Sequence, residues 1–207
     1  MKKLLVVSAV LLIAGSVMAQ SPIFFAEYIE GSSNNKAVEI YNNTNATIDL
    51  SRVDVERYNN GSVDVGFAGT LAGTLAAGDV WVIANSSADP IILAIADDVV
   101  NSSLTWYNGD DVLMLYLDGV LVDSIGRLGE DPGSFWGTEP VTTQEHTLVR
   151  KIDNCTGDTD VSDEYDPAFD FDGYDQDDFT FLGFHTTNCT PVGNDVSTFS
   201  DVKSMFR

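Results

Sequence analysis

FFAEYIEGSSNNKAVEIY, residues 24–41, is the stretch around which the rest of the chain can be organised. Two strand-like arms flank a loop rich in Gly, Ser and Asn. Apolar residues alternate with polar ones in each arm: Phe25, Tyr28 and Ile29 in the first, Val38, Ile40 and Tyr41 in the second. Period-two patterning closed by a small-residue turn predicts two half-buried strands in a hairpin, the opening of an all-β domain. On that pattern Glu27, Glu30 and Glu39 are outward-facing strand and turn residues.

The same pattern continues downstream. Strands are expected at 47–50, at Val53–Tyr58 before Asn59-Asn60-Gly61, and at 79–84, a core strand. Val112–Leu117 and Val120–Ile125 flank Asp118-Gly119, the signal for a two-residue type I′ hairpin. Closing strands are expected at 147–151 and 179–183. Only 88–96 (ADPIILAIA) has helical spacing, with Pro90 suited to a first turn, so one short helix caps the assembly. Many short strands separated by turns predict a β-sandwich or barrel and exclude a βαβ fold.

The N-terminus reads as a signal peptide over residues 1–19. Lys2 and Lys3 precede an apolar run at 4–13 that is too short to span a membrane, and Val17-Met18-Ala19 fits the small-residue cleavage rule. The mature chain is then expected to start at Gln20 and to be secreted, or to act in a periplasm, without inserting in the membrane. That leaves 188 residues (207 less 19), read as one domain over 20–189 and a C-terminal tail or linker over 190–207. Loss of Lys2 and Lys3 takes the charge from −22 to −24, 8 basic residues against 32 acidic. Such a surface repels polyanions and favours a monomer. Nucleic-acid binding needs Lys and Arg to neutralise phosphates, so direct, strong binding to DNA is not expected.

Cys155 and Cys189 are the two cysteines. An even count in an oxidising compartment favours one disulfide over the alternatives, a metal pair or free thiols. The bond would close a loop of about 35 residues and contribute roughly 4 kcal/mol through chain entropy.

Several blocks, in order, resemble the secreted bacterial lamin tail domains: FFAEYIEGSSNNKAVEIYN (24–42), GTLAAGDVWVIANSSAD (73–89), NGDDVLML (108–115), VDSIGRLGEDPGSFWG (122–137), HTLVRK (146–151) and FLGFHT (181–186). The resemblance covers nearly all of 23–186. It implies an immunoglobulin-like β-sandwich acting as a binding or spacer module. It also implies company, because such domains often sit beside extracellular nuclease or phosphatase-type catalytic domains. A catalytic domain would need about 250 further residues, so its activity does not carry over to this chain. An accessory role in such a hydrolytic system is the alternative reading.

The residues themselves point away from catalysis. Nucleophilic hydrolysis wants Ser or Cys beside a His held by a carboxylate. His146 and His185 are the only histidines, both at predicted strand ends, and no G-x-S-x-G surrounds any serine. Among 32 acidic residues some pair is always close, so carboxylate pairs discriminate little. Trp81, Trp106 and Trp136 read as core or edge aromatics, with Trp106-Tyr107 as the pair that could stack on a sugar or peptide.

Metal binding has a better basis. Asp158, Asp160, Asp163 and Glu164 place carboxylates along Gly157–Glu164 much as a calcium loop does, and Ca²⁺ is the expected ion. An EF-hand would need Gly sixth and Glu twelfth; those places hold Asp163 and Phe169. Asp170, Asp172, Asp175, Asp177 and Asp178 continue the acidic run before Cys189. The competing reading is a solvated acidic loop. Together these features predict a non-catalytic module that offers loops and sheet edges to an extracellular protein or cell-surface partner, with calcium as its only candidate cofactor.

Overall fold

The opening stretch forms a hairpin, β1 (Ile23–Glu30) and β2 (Lys36–Asn42), joined through loop 31–35. The computed structural model describes residues 20–100 and 103–193. The predicted signal peptide and residues 194–207 of the predicted tail lie outside the described residues. The remaining strands are β3 (Ile48–Asp49), β4 (Val53–Tyr58), β5 (Val65–Thr70), β6 (Thr74–Leu75), β7 (Val80–Asn85), β8 (Asp98–Val100), β9 (Val112–Leu117) and β10 (Val120–Ile125). They are followed by β11 (Gly137–Thr138), β12 (Val141–Thr142), β13 (His146–Arg150) and β14 (Phe171–Tyr174). The helix α1 (Pro90–Ile95) starts as its sequence predicts, with Pro90 in the first turn and the Asp89 side chain accepting from the Ile91 N–H at 2.8 Å.

Two sheets face each other as an immunoglobulin-like sandwich. A six-stranded sheet runs β14-β13-β1-β2-β7-β8 and a four-stranded sheet β10-β9-β4-β5. Neighbours are antiparallel except β7 and β8, which run parallel. Between the sheets lie Ile23, Phe25, Tyr28, Val38 and Ile40 from the first and Val53, Val55, Leu113 and Leu115 from the second. Phe25 and Tyr28 share this inner face although they are three positions apart. A β-bulge explains it: Phe25 pairs with Ile40 and Glu27 with Glu39, so Ala26 is an extra residue that resets the alternation.

The outer face of the six-stranded sheet is covered as well. Ile92 of α1 and Leu182 pack there on Ile29, Ala37, Val82 and Ala84. Every residue of β1 and β2 is therefore buried. This corrects the half-buried hairpin and the outward-facing glutamates: Glu27, Glu30 and Glu39 are 1%, 6% and 1% exposed. The reason is tertiary, because the cover comes from segments far along the chain.

Residues 179–183 do not form the expected closing strand. Leu182 N–H turns back onto the Phe179 carbonyl and Gly183 takes φ +94°, so the segment curls over the sheet instead of joining it. The closing edge is β14, within the acidic stretch. Past Cys189, Val192 forms a parallel bridge with Thr44, so the first residues of the predicted tail are hydrogen-bonded to the domain. Among the described residues no helix is long and apolar enough to cross a membrane.

Candidate acidic site

The acidic loop is rooted in the sandwich through one buried ion pair. Asp123 on β10 and Arg150 on β13 are 0% and 1% exposed, with Arg150 Nη2 2.5 Å from Asp123 Oδ2. Backbone N–H groups of Phe25, Ser124 and Asp158 also donate to the Asp123 carboxylate. Arg150 spends its other donors on the carbonyls of Phe25 and Thr156. Burial pushes the Asp123 carboxyl up to about 6, against the pull of Arg150 and those N–H groups. At neutral pH it is still an ionised, fully bonded anion.

Gly157 lies directly on this pair. A Cβ there would meet the Val122 carbonyl and come 2.7 Å from Asp123 Cβ, so only glycine allows so close an approach. Its N–H donates to Ser21 Oγ at 2.8 Å, and Ser21 N–H donates to the Cys155 carbonyl at 2.9 Å. The predicted disulfide joins Cys155 to Cys189, with Cα atoms 5.5 Å apart.

Above this root the loop opens into a depression of about 350 Å³. Asp158, Asp160, Asp163 and Glu164 all line it, together with Asp166, Asp170, Asn154, Tyr165 and Phe169. The four predicted residues are thus brought together on one surface. They do not form a ready chelate: among the described residues no three His, Cys, Asp or Glu side chains are grouped to hold a metal ion. Instead the carboxylates cap the loop's own backbone. Asp158 Oδ1 accepts from the Asp160 N–H at 3.0 Å, and Asp160 Oδ1 accepts from Ser162 Oγ at 2.6 Å.

Electrostatics divide these carboxylates. Partial burial, reinforced by Asp163, Asp170 and Asp160, raises the Asp158 carboxyl, while the Asp160 N–H opposes the rise. Asp160 is fully exposed and is lowered by its hydrogen bonds from Ser162. Tyr165 is nearly buried in the wall, and its hydroxyl has no hydrogen-bond partner among the described residues. Tyr165 and Asp166 are lining residues that the sequence pattern did not single out, and Asp170 joins them from the later acidic run. The bracketing cysteines were the one signal that the whole acidic segment folds back on itself.

Asp177 and Asp178 of the later run belong elsewhere. Asp177 accepts from Ser32 N–H at 2.9 Å, Ser32 Oγ at 2.6 Å and Asn35 Nδ2 at 2.9 Å, tying the chain to the first hairpin loop. Burial alone would raise its carboxyl, but these bonds outweigh it and hold the carboxyl low. Asp178 caps Thr180.

Both histidines are built into the scaffold. His146 Nδ1 sits 2.8 Å from Thr142 Oγ1 and from the Gln144 carbonyl. His185 packs edge-on to Phe24 and Tyr41, and burial, with Arg150 nearby, lowers its pKa to about 4. Trp106 is half exposed whereas Tyr107 is fully buried, its hydroxyl 2.7 Å from the Ile29 carbonyl, so the two do not form an exposed pair.

The fold and this loop define an immunoglobulin-like β-sandwich that carries an acidic, disulfide-closed depression at its periphery. Lamin Tail Domain is the family whose model matches, over residues 16–129, and the chain belongs to that family. The match takes in β1 to β10 and stops short of the depression. No curated protein matches the chain. Among solved structures, a DUF4876 family protein from Bacteroides thetaiotaomicron is similar, with TM-score 0.51, 11% identity, and coverage of 84% of this chain and 77% of that one. At that identity the likeness is one of fold.

Proposed function

We propose that this chain is an exported, non-catalytic binding module that engages a positively charged protein or cell-surface partner at the acidic depression, a surface that also takes up calcium in competition with that partner. The observation that carries this reading is the depression itself: six carboxylates on one open surface, rooted on a buried ion pair and closed by a disulfide. Export is supported by the leader pattern of residues 1–19 and by the disulfide. A non-catalytic role is supported by the lamin tail framework and by two histidines already committed to packing and turn contacts.

Calcium fits the donor chemistry, a crowd of oxygen ligands near water. Because no three carboxylates converge among the described residues, binding would require Asp158 and Asp160 to release their backbone caps. That requirement implies weak, millimolar affinity.

The test uses the purified chain from Gln20 onward. Nuclease, phosphatase and glycosidase assays with and without calcium should show no turnover. Turnover that survives stringent purification and vanishes on replacing one residue would overturn the reading. Retention on a polylysine surface should fall steeply with salt and fall further in an Asp160→Asn/Asp163→Asn/Glu164→Gln variant. Equal retention of the variant would remove the depression as the contact surface.

A further inference from the structure

The outer face of the six-stranded sheet carries two carboxyls that no positive charge neutralises among the described residues. Glu27 on β1 and Glu39 on β2 are directly opposed in the antiparallel register, and each is 1% exposed. Opposed residues on one face have Cβ atoms about 5 Å apart, so the two side chains share a small space. Among the described residues both oxygens of Glu27 lack a hydrogen-bond partner. Glu39 has one, the Gly183 N–H at 2.6 Å.

The segment that buries them, residues 175–188, is a strap tied at both ends. At one end Asp177 is held by Ser32 and Asn35. At the other, Thr187 Oγ1 donates to the Ile152 carbonyl, Asn188 Nδ2 donates to Asp153, and Cys189 is bonded to Cys155. In the middle, Phe179 and Leu182 rest on Ile29, Ala37 and Val82, and Gly183 meets Glu39. We propose that Glu27 and Glu39 act as a proton-held latch: while the pair is protonated the middle of the strap stays on the sheet, and loss of those protons releases it.

The surroundings supply the reason. The ionisable groups acting on the pair are acidic from each element that packs there: Asp178 on the strap, Asp97 after α1 and Asp79 before β7. Asp172 of β14 lies in the same cross-strand row, through Val149, and Tyr174 of that strand is also close enough to feel Glu27. Arg150 is committed to Asp123, and His185 is uncharged near neutrality. Burying an unpaired carboxylate costs far more than burying the neutral acid, so the folded state keeps the proton.

Burial first, then Glu39 and Asp178, raises Glu27 to about 9. Burial also raises Glu39 to about 7, with Asp97 and Asp79 adding to it and the Gly183 N–H opposing it. The sign follows. A carboxyl whose folded pKa is raised favours the closed form fully below its ordinary value of 4.5, and that advantage drains away as pH climbs through about 7 and then about 9. Because both ends of the strap are anchored, release is a local opening that leaves the sandwich folded.

Hydrogen exchange on the whole chain tests this between pH 6 and pH 9, with rates corrected for the intrinsic pH dependence of exchange. Protection of amides 178–186 should fall by about tenfold or more over that range, the equivalent of one pKa unit of differential binding. Protection of β4 and β9 should stay level. Glu39→Gln should flatten the lower part of the fall and Glu27→Gln the alkaline part. A strap whose protection does not change from pH 6 to pH 9 would overturn the latch, as would an unchanged fall in the Glu27→Gln/Glu39→Gln double variant. Carbon NMR titration of the wild-type glutamates decides independently of whether the variants fold. A Glu27 midpoint well above 4.5 is expected, and one near 4.5 refutes the proposal.

Discussion

Asp123 and Glu27 are both buried acids, but the molecule handles them in opposite ways. Asp123 is surrounded by donors: Arg150 and the N–H groups of Phe25, Ser124 and Asp158. Glu27 has no donor among the described residues, an acidic neighbour opposite on β2, and Asp178 above it. The first carboxyl is held by a counter-charge and remains ionised at neutral pH. The second is held by a proton. One chain with a charge of −22 thus contains a buried acid that is indifferent to mild alkali and another that is sensitive to it.

The comparison can be broken most forcefully at Asp123. Arg150→Met leaves a buried carboxylate without its cation, and should destabilise the protein by about 3–5 kcal/mol at pH 7. Chemical denaturation measures it. The Asp123→Asn/Arg150→Met double variant should recover part of that loss, because it removes the unpaired charge along with its partner. If the single and double variants lose equally, the pair's charges are not what anchors the loop.

The disulfide ranks next. Cys155→Ser/Cys189→Ser frees the end of the strap and one margin of the depression, and should cost about 2–4 kcal/mol. It should also steepen the alkaline loss of strap protection, since one tether of the latch is gone. A variant that loses stability without altering strap exchange would separate the disulfide from the latch.

Glu27→Gln sharpens the contrast at lower cost. Near pH 5 it should melt within a few degrees of the wild type, because both side chains are then neutral. At pH 9 it should melt above the wild type, and the gap should widen steadily between those limits. The same substitution logic applied to the other site, Asp123→Asn, should do the reverse and destabilise at neutral pH, where Arg150 loses its anion.

What the sequence could reveal follows from how local each signal is. The Asp118-Gly119 hairpin was legible because both residues must take positive φ, and they do, at 53° and 73°. The Pro90 helix start and the Cys155–Cys189 bond were legible for similarly local or compositional reasons. β5 was hidden because VGFAGT carries two glycines and buries none of its residues, and β14 because FDGY buries only Phe171. The burial of Glu27 and Glu39 had no local signal. An outward-facing glutamate on a strand looks the same whether water or a strap lies over it, and the strap contact with Glu39 comes from 144 residues away. The four loop residues Asp158, Asp160, Asp163 and Glu164 were found as a group, but the wall they share with Tyr165, Asp166 and Asp170 depends on how β14 and the disulfide fold that segment back. The family match, ending at residue 129, takes in Glu27 and Glu39 but reaches neither the strap over them nor the depression.

The smallest expected effect concerns the exposed acids, and it tests whether openness is what distinguishes the depression from the buried pair. Asp163→Asn/Glu164→Gln removes two charges from a solvent-filled surface, where repulsion is screened, so stability in calcium-free buffer should change by less than about 0.5 kcal/mol. With millimolar calcium the wild type should gain melting temperature in proportion to the logarithm of ion concentration, as any ligand of the folded state requires. The variant should gain little. Magnesium should do less than calcium, since it demands a tighter octahedral shell than a loop with self-capped aspartates can supply. A wild type that ignores ten millimolar calcium (a concentration chosen as about ten times a millimolar Kd) would leave the depression as a surface for a cationic partner alone. A variant that responds as strongly as the wild type would move the ion to other carboxylates.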